Sequence, residues 1–190
     1  MSSERKERLT QEEYLALERK AAVRSEYLDG DMVAMSGGSR EHNLIVTNLV
    51  ARLHAQLRGR PCEIYAGDMR VKVSITGLYT YPDIVVMCGK PQFEDANVDT
   101  LLNPTLIGEV LSESTQSYDR GAKFGHYRKI SSLVEYLLIA QHEPKIETFL
   151  KQPEGPWSRS EVRSISNTLE LLSIQCSVPL VEVYDRVFSS

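Results

Sequence analysis

The sequence predicts one mixed α/β domain, with a central mixed β-sheet flanked by helices. Three observations carry this. Apolar stripes of helical spacing alternate along the chain with short apolar runs rich in β-branched residues. Two of those runs, around 81–87 and 106–111, are apolar enough to be strands buried on both faces. The chain has 190 residues, 42% hydrophobic and 25% charged, which is enough for one core, and no linker or repeat divides it. The expected unit is 1–190, with a core at about 14–150 and a tail, 151–190, packed on it.

The elements follow in order. Thr10 and Glu13 stand at the spacing of a capping box, so a helix is expected from there through residue 23. Asp29-Gly30, between two short apolar stretches, predicts a hairpin over 25–35. Ser36-Gly37-Gly38-Ser39 stops that strand and offers an N-cap. The longest helix is expected over 40–58, where Val46, Leu49, Val50, Leu53 and Leu57 make one apolar stripe. Gly59 ends it and Pro61 prevents its resumption. Strands are expected at 63–66, 70–75 and 80–88, a polar loop at 89–103, a strand at 105–112 and a helix at 117–130. Strands at 134–140 and 145–150 resume the sheet. A turn at 152–156 leads to a tail of two or three short strands and a last helical turn over 180–187.

Net charge is −4, so nucleic acid, if bound, must meet a local basic patch. The amino terminus lacks the apolar segment of a secretory signal, and no run approaches the roughly 18 apolar residues of a spanning helix. The expected location is cytoplasmic, off the membrane. Cys62, Cys88 and Cys176 are odd in number and widely spaced, which argues against a disulfide framework or a zinc ribbon.

The chemistry is concentrated in Asp83 and Glu109, each inside an apolar strand-like run. A carboxylate there is costly unless its charge is compensated. Strand alternation puts Asp83 on a face with Val85 and Met87, and Glu109 with Ile107 and Leu111. If the strands are neighbours, the two acids can share a cation, and hard oxygen ligands favour Mg²⁺ or Mn²⁺. The plain alternative is that each acid pairs separately with a basic side chain or caps backbone.

At this point a resemblance becomes specific. Tyr81-Pro82-Asp83-Ile84-Val85-Val86, Gly108-Glu109-Val110-Leu111-Ser112-Glu113-Ser114-Thr115 and Asp119-Arg120-Gly121-Ala122-Lys123-Phe124-Gly125-His126-Tyr127 together resemble the Uma-two family of restriction endonucleases, of the PD-(D/E)XK nuclease superfamily. Glu26-Tyr27-Leu28-Asp29-Gly30, Met35-Ser36-Gly37 with His42 and Asn48-Leu49, Asp68-Met69-Arg70-Val71, and Glu135-Tyr136-Leu137-Leu138-Ile139 extend it over about 14–150. The resemblance implies a restriction-endonuclease-like fold and, by analogy, metal-dependent phosphodiester hydrolysis. It assigns Asp83 and Glu109 to the two acids of the motif. The superfamily's usual lysine would stand at Leu111, so it is missing from its usual place, and Lys123 is the best substitute. Asp119, Lys123 and Tyr127 stand at i, i+4 and i+8 of one helix side. An Asp119–Lys123 surface ion pair is the plain alternative. Glu113 stands where the pattern usually has Pro.

Glu26, near which related nucleases often place an extra acid, is a candidate third metal ligand, or else a strand-end glutamate. Asp68 is a further acid that could equally cap a turn. His42 could approach the substrate or sit at the core edge. Possible phosphate contacts are His42, Arg70, Lys72, Arg120 and Tyr127. No phosphate-loop, dinucleotide or Ser-His-Asp pattern is present. The expected function is a Mg²⁺- or Mn²⁺-dependent endonuclease acting on DNA. The alternative is an inactive nuclease-like module that binds nucleic acid or protein. A homodimer is expected, with some of the residues left over by the core, Tyr14, Leu15, Leu17, Val181, Tyr184 and Val187, forming its twofold interface.

Overall fold

The structure, a computed structural model, describes residues 8–188. Helix α1 (Gln11–Glu18) opens on the expected capping box, with Thr10 accepting from the Glu13 amide and Glu13 accepting from the Thr10 amide. It stops well short of residue 23. The Glu18 carboxylate is buried and accepts from the Ser25 amide and the Tyr81 hydroxyl, which turns the chain into the next strand against its local helical preference. Strands β1 (Ser25–Leu28) and β2 (Asp31–Ala34) form the expected hairpin. Asp29 (φ 50°) and Gly30 (φ 91°) both take the left-handed conformation that a two-residue turn of this twist requires.

Helix α2 (Arg40–Leu57) is N-capped by Ser39 and buries Ile45, Leu49, Leu53 and Leu57, with Val46 and Val50 at the margin of the stripe. Gly59 follows at φ 76°. Next come β3 (Cys62–Ala66) and β4 (Arg70–Val73). The single strand expected over 80–88 is two strands, β5 (Leu78–Thr80) and β6 (Ile84–Cys88), which lie in different sheets. Pro82 stands between them and cannot donate to a ladder. The expected loop over 89–103 contains a short strand, β7 (Thr100–Leu101).

Strand β8 (Leu106–Leu111) leads into a helical stretch of three parts: α3 (Gln116–Tyr118), a π-turn (Asp119–Lys123) and α4 (Phe124–Tyr127). Strands β9 (Glu135–Ala140) and β10 (Lys145–Leu150) match expectation. The tail adds β11 (Ser158–Arg163), β12 (Thr168–Leu171), β13 (Cys176–Pro179) and helix α5 (Leu180–Val183).

The expected mixed α/β architecture is present, its strands arranged as two mixed sheets and a hairpin. A six-stranded sheet has the order β11-β10-β9-β8-β6-β3, and a five-stranded one the order β2-β1-β5-β4-β7; β12 and β13 pair separately. The six-stranded sheet is mixed: β8 and β9 are parallel, joined by the helical crossover that such a pair needs. Its alternating residues feed two cores. Ile84, Val86, Leu106 and Val110 face α2, the β12–β13 hairpin and α5. Val85, Met87, Ile107 and Leu111 face the five-stranded sheet and the 116–127 helical stretch, with Val71, Leu78, Phe124 and Tyr127 opposite.

Two expectations are corrected. Cys62 and Cys88 stand directly opposite each other on β3 and β6 and form a disulfide, leaving buried Cys176 free. An odd count hid this pair, because its spacing reflects strand pairing and not a local motif. The proposed dimer residues are largely consumed within the chain: Tyr14, Leu15, Tyr184 and Val187 are buried, and only Leu17 and Val181 are exposed. The tyrosines are claimed by internal partners, Tyr14 by the Ser25 carbonyl and Tyr184 by the Ala140 and Lys145 carbonyls. Among the described residues, no helix is long and apolar enough to cross a membrane.

Candidate active site

Both sheets, α2 and the 116–127 stretch contribute to one cleft of about 350 Å³. Asp83 stands on the bend after Pro82, where the chain crosses from β5 to β6, so it precedes its strand and does not lie inside it. The β6–β8 ladder ends at the Ile84–Gly108 pair. The next β8 amide on that side, Val110, therefore has no strand partner there and donates to Asp83 Oδ2 at 2.7 Å. Asp83 Oδ1 lies 3.0 Å from Nε2 of His42, in the first turn of α2. This hydrogen bond holds the imidazole above its ordinary pKa, against burial, which lowers it. Asp83 is thus fixed to the strand that carries Glu109.

Glu109 projects from β8 into the same cleft and is almost fully buried. Its Oε1 accepts from the Tyr127 hydroxyl at 2.7 Å and lies 3.0 Å from Nζ of Lys123. Burial, then the nearby Asp83 and Asp119 charges, holds its carboxyl above the usual range, opposed by Lys123 and Tyr127. Lys123 is no surface residue. It is 6% exposed, and its ammonium lies 2.9 Å from Glu26 Oε1 and 3.7 Å from Asp119 Oδ1 as well. Burial works against that charge, but Glu109, Glu26 and Asp119 outweigh it and hold the ammonium above its ordinary range. The π-turn retains the convergence expected of a regular helix: Asp119, Lys123 and Tyr127 all reach this cluster.

Glu26, on β1, accepts from Thr80 of β5, and the Thr80 hydroxyl lies 3.3 Å from that of Tyr127. Each hydroxyl spends its one proton on its own acid, Thr80 on Glu26 and Tyr127 on Glu109, so the two sheets meet here through a contact between two hydroxyl oxygens. Asp119, Thr80 and Tyr118 enter the cluster or its lining without having been singled out for it. The spacing of Asp119 to Lys123 was a visible signal; Thr80 and Tyr118 had none, since contacts between separate sheets and loops leave no local pattern.

Several candidate substrate contacts lie elsewhere. Arg70 is 3% exposed, donates to Thr100 and Tyr81, and pairs with Asp99, so it cannot meet a phosphate. Lys72 pairs with Glu94 and stacks over Tyr79, outside the cleft. Asp68, the further candidate acid, is an exposed partner of Arg24 and does not line the cleft. Arg120 pairs with buried Glu147 and lines a separate hollow of about 160 Å³, together with Glu113. Tyr127 is fully buried and acts on Glu109, leaving no surface for a substrate.

The donor set bears on the metal. Among the described residues, no three His, Cys, Asp or Glu side chains form a ready-made ion cage. Mg²⁺ rarely uses one: it keeps waters and takes one or two carboxylates plus substrate phosphate oxygens. Three cleft carboxylates, Glu26, Glu109 and Asp119, surround the single ammonium of Lys123, and a fourth, Asp83, lines the same cleft beside His42. That surplus of hard oxygen donors and negative charge fits a divalent cation.

Residues 11–180 match the profile of the Uma2 family, described as "Putative restriction endonuclease". Two proteins of Synechocystis sp., named "Uncharacterized protein sll1609" and "Uncharacterized protein slr1290", are each 36% identical to the chain. The first match covers 85% of this chain and 92% of the relative; the second covers 93% and 92%. A crystal structure described as a putative nuclease belonging to DUF820, from Anabaena variabilis, superposes with a TM-score of 0.77 over 95% of this chain and 99% of that one. At 17% identity it speaks for the fold.

Proposed function

Because the chain belongs to the Uma2 family, we propose that it is a Mg²⁺- or Mn²⁺-dependent endonuclease that hydrolyses phosphodiester bonds of DNA. The observation that carries this reading is the convergence of Asp83, Glu109 and Lys123 on one cleft, each held by specific partners. Asp83 and Glu109 would hold the metal, with Glu26 as the further acid of the set. Bound there, the cation supplies Lewis-acid polarisation of the phosphodiester and a lowered pKa for water.

The chain's own residues do the rest. The Val110 amide and His42 fix both oxygens of Asp83, so its carboxylate meets the cleft in one orientation. Tyr127 does the same for Glu109. Lys123 donates to the attacking water or to a non-bridging phosphate oxygen, steadying charge that grows as the bond breaks. The lysine reaches the acids from the helical stretch that follows β8, and not from the strand position at Leu111.

Incubating supercoiled DNA with the protein and Mg²⁺ or Mn²⁺ tests the reading. Nicked or linear product is expected, lost with chelator and in Asp83→Asn and Glu109→Gln variants. Uncut DNA and RNA under all metals would overturn it. One observation favours the binding-only alternative: Lys123 already neutralises part of the acid cluster. Metal-free binding of nucleic acid by a protein that never cuts would support that reading.

A further inference from the structure

We propose that Lys123 is the resident counter-ion of the acid cluster, and that it is exchanged when a divalent cation binds: the ammonium leaves Glu109 and turns to the open side of the cleft. The inference rests on the metal reading above.

Three observations converge. First, the Lys123 ammonium lies within 3.7 Å of oxygens from three carboxylates on three elements: β1, β8 and its own π-turn. A cation held by Glu109 and Glu26 would lie beside this ammonium. Like charges a few ångströms apart in a buried site repel strongly. Second, the acids are the fixed partners. Glu109 is held by Tyr127, and Glu26 by Thr80, which itself reaches Tyr127. Among the described residues, the Lys123 ammonium is held by these ion pairs and lies 5.9 Å from the ring of Tyr118, on four flexible methylenes, so it is the group that can move. Third, Tyr118 and Thr115 line the same cleft as Lys123, and its volume of about 350 Å³ has room for a displaced head group.

The exchange has a chemical consequence. The charge that stabilises the metal-free protein becomes, after exchange, the donor that a phosphate oxygen meets. A metal-free cleft then has no free ammonium to offer to nucleic acid, and productive substrate contact waits for the cation.

Calorimetric titration of Mn²⁺ without nucleic acid tests this on the parent, Lys123→Met and Lys123→Arg proteins. Removing the competing charge should tighten binding by on the order of tenfold or more in Lys123→Met. Lys123→Arg, which keeps the charge, should stay near the parent. Equal or weaker binding in the Met variant overturns the exchange. Should that variant fail to fold, the parent still decides. The Lys123 ¹³Cε resonance, assigned by its loss in Lys123→Arg, should shift with Mg²⁺ and saturate together with binding. Binding with an unmoved Lys123 resonance overturns the exchange and leaves the metal reading standing. No binding of either cation to the parent removes both.

Discussion

Tyr127 has one polar task that the structure makes plain: its buried hydroxyl donates to Glu109 Oε1 at 2.7 Å. Tyr127→Phe keeps the ring in the core, where it packs edge-on against Tyr136, and removes that donor. A hydrogen bond to a charged group contributes roughly 1.5–3 kcal/mol, so the cleavage rate should fall about 10- to 100-fold with the fold intact, read by initial rates beside a thermal melt. On the other acid, a Cβ added at Gly38 would stand 2.6 Å from His42 Nδ1, while one at Gly37 meets nothing within 4 Å. Gly38→Ala must push the imidazole off Asp83, so metal affinity should drop in that variant and stay at the parent value in Gly37→Ala; equal affinities would show that His42 does not position Asp83. The two acids were legible in the sequence because ionised groups in apolar runs are expensive. Lys123 was legible only through helix spacing and the family pattern. Its burial, and the part played by Thr80, depend on how two sheets meet, which no local window contains.

At the scale of elements, the edge strand β3 is tied to β6 by the Cys62–Cys88 disulfide, which closes a loop with a sequence separation of 26. The chain-entropy account gives roughly 3.5 kcal/mol for such a loop. Reduction, or Cys62→Ser with Cys88→Ser, should therefore lower the melting temperature by up to about 10 °C in calorimetry. A second tie joins α1 to β7, where Arg19 donates to Asp99 and Asp95, and Arg70 pairs with Asp99. The Arg19 hydrogen bond first, then the Arg70 charge, holds the Asp99 carboxyl well below its ordinary value of 3.8, against burial. A carboxylate with a depressed folded-state pKa stabilises the protein above the unfolded value and loses that contribution as pH falls through the folded one. Asp99→Asn should thus cost about 1 kcal/mol at pH 7, the upper end for a partly exposed pair, with the gap from the parent closing below about pH 4 in urea titrations. Most elements were legible: the Thr10 cap, the Asp29-Gly30 turn, the α2 stripe and the strand runs of β8, β9 and β10 each carry their own signal. The misses have one cause. Helix α1 ends early because Glu18 bonds to Ser25 and Tyr81, and the short β7 owes its existence to pairing with β4; both are decided by partners distant in sequence.

Across the whole molecule, the tail is a structural half of one core. Leu169, Leu171, Ile174, Val178, Leu180, Val183 and Val187 are buried against α2 and the six-stranded sheet. Asn48 of α2 donates to the Val183 and Asp185 carbonyls, and Glu135 at the start of β9 accepts from the Ser173 amide and hydroxyl. Cutting the chain after residue 150 would expose Ile45, Leu49 and Leu53 of α2, the stripe whose helix begins beside His42. Burial contributes roughly 1.5–3 kcal/mol for each large aliphatic side chain. Removing the tail strips several such side chains from the core, a loss comparable with the roughly 5–15 kcal/mol that holds a domain folded. The fragment ending at residue 150 contains every residue of the candidate site, yet it should be insoluble or molten, with no cooperative thermal transition, and should neither bind Mn²⁺ nor cut. Adding back residues 151–190 as a separate chain should restore the transition if the two surfaces meet as they do in the intact protein. A soluble, cooperatively folded 1–150 fragment would show instead that the acid cluster is held without α2's far side, and that His42 and Asp83 owe their positions to the sheets alone.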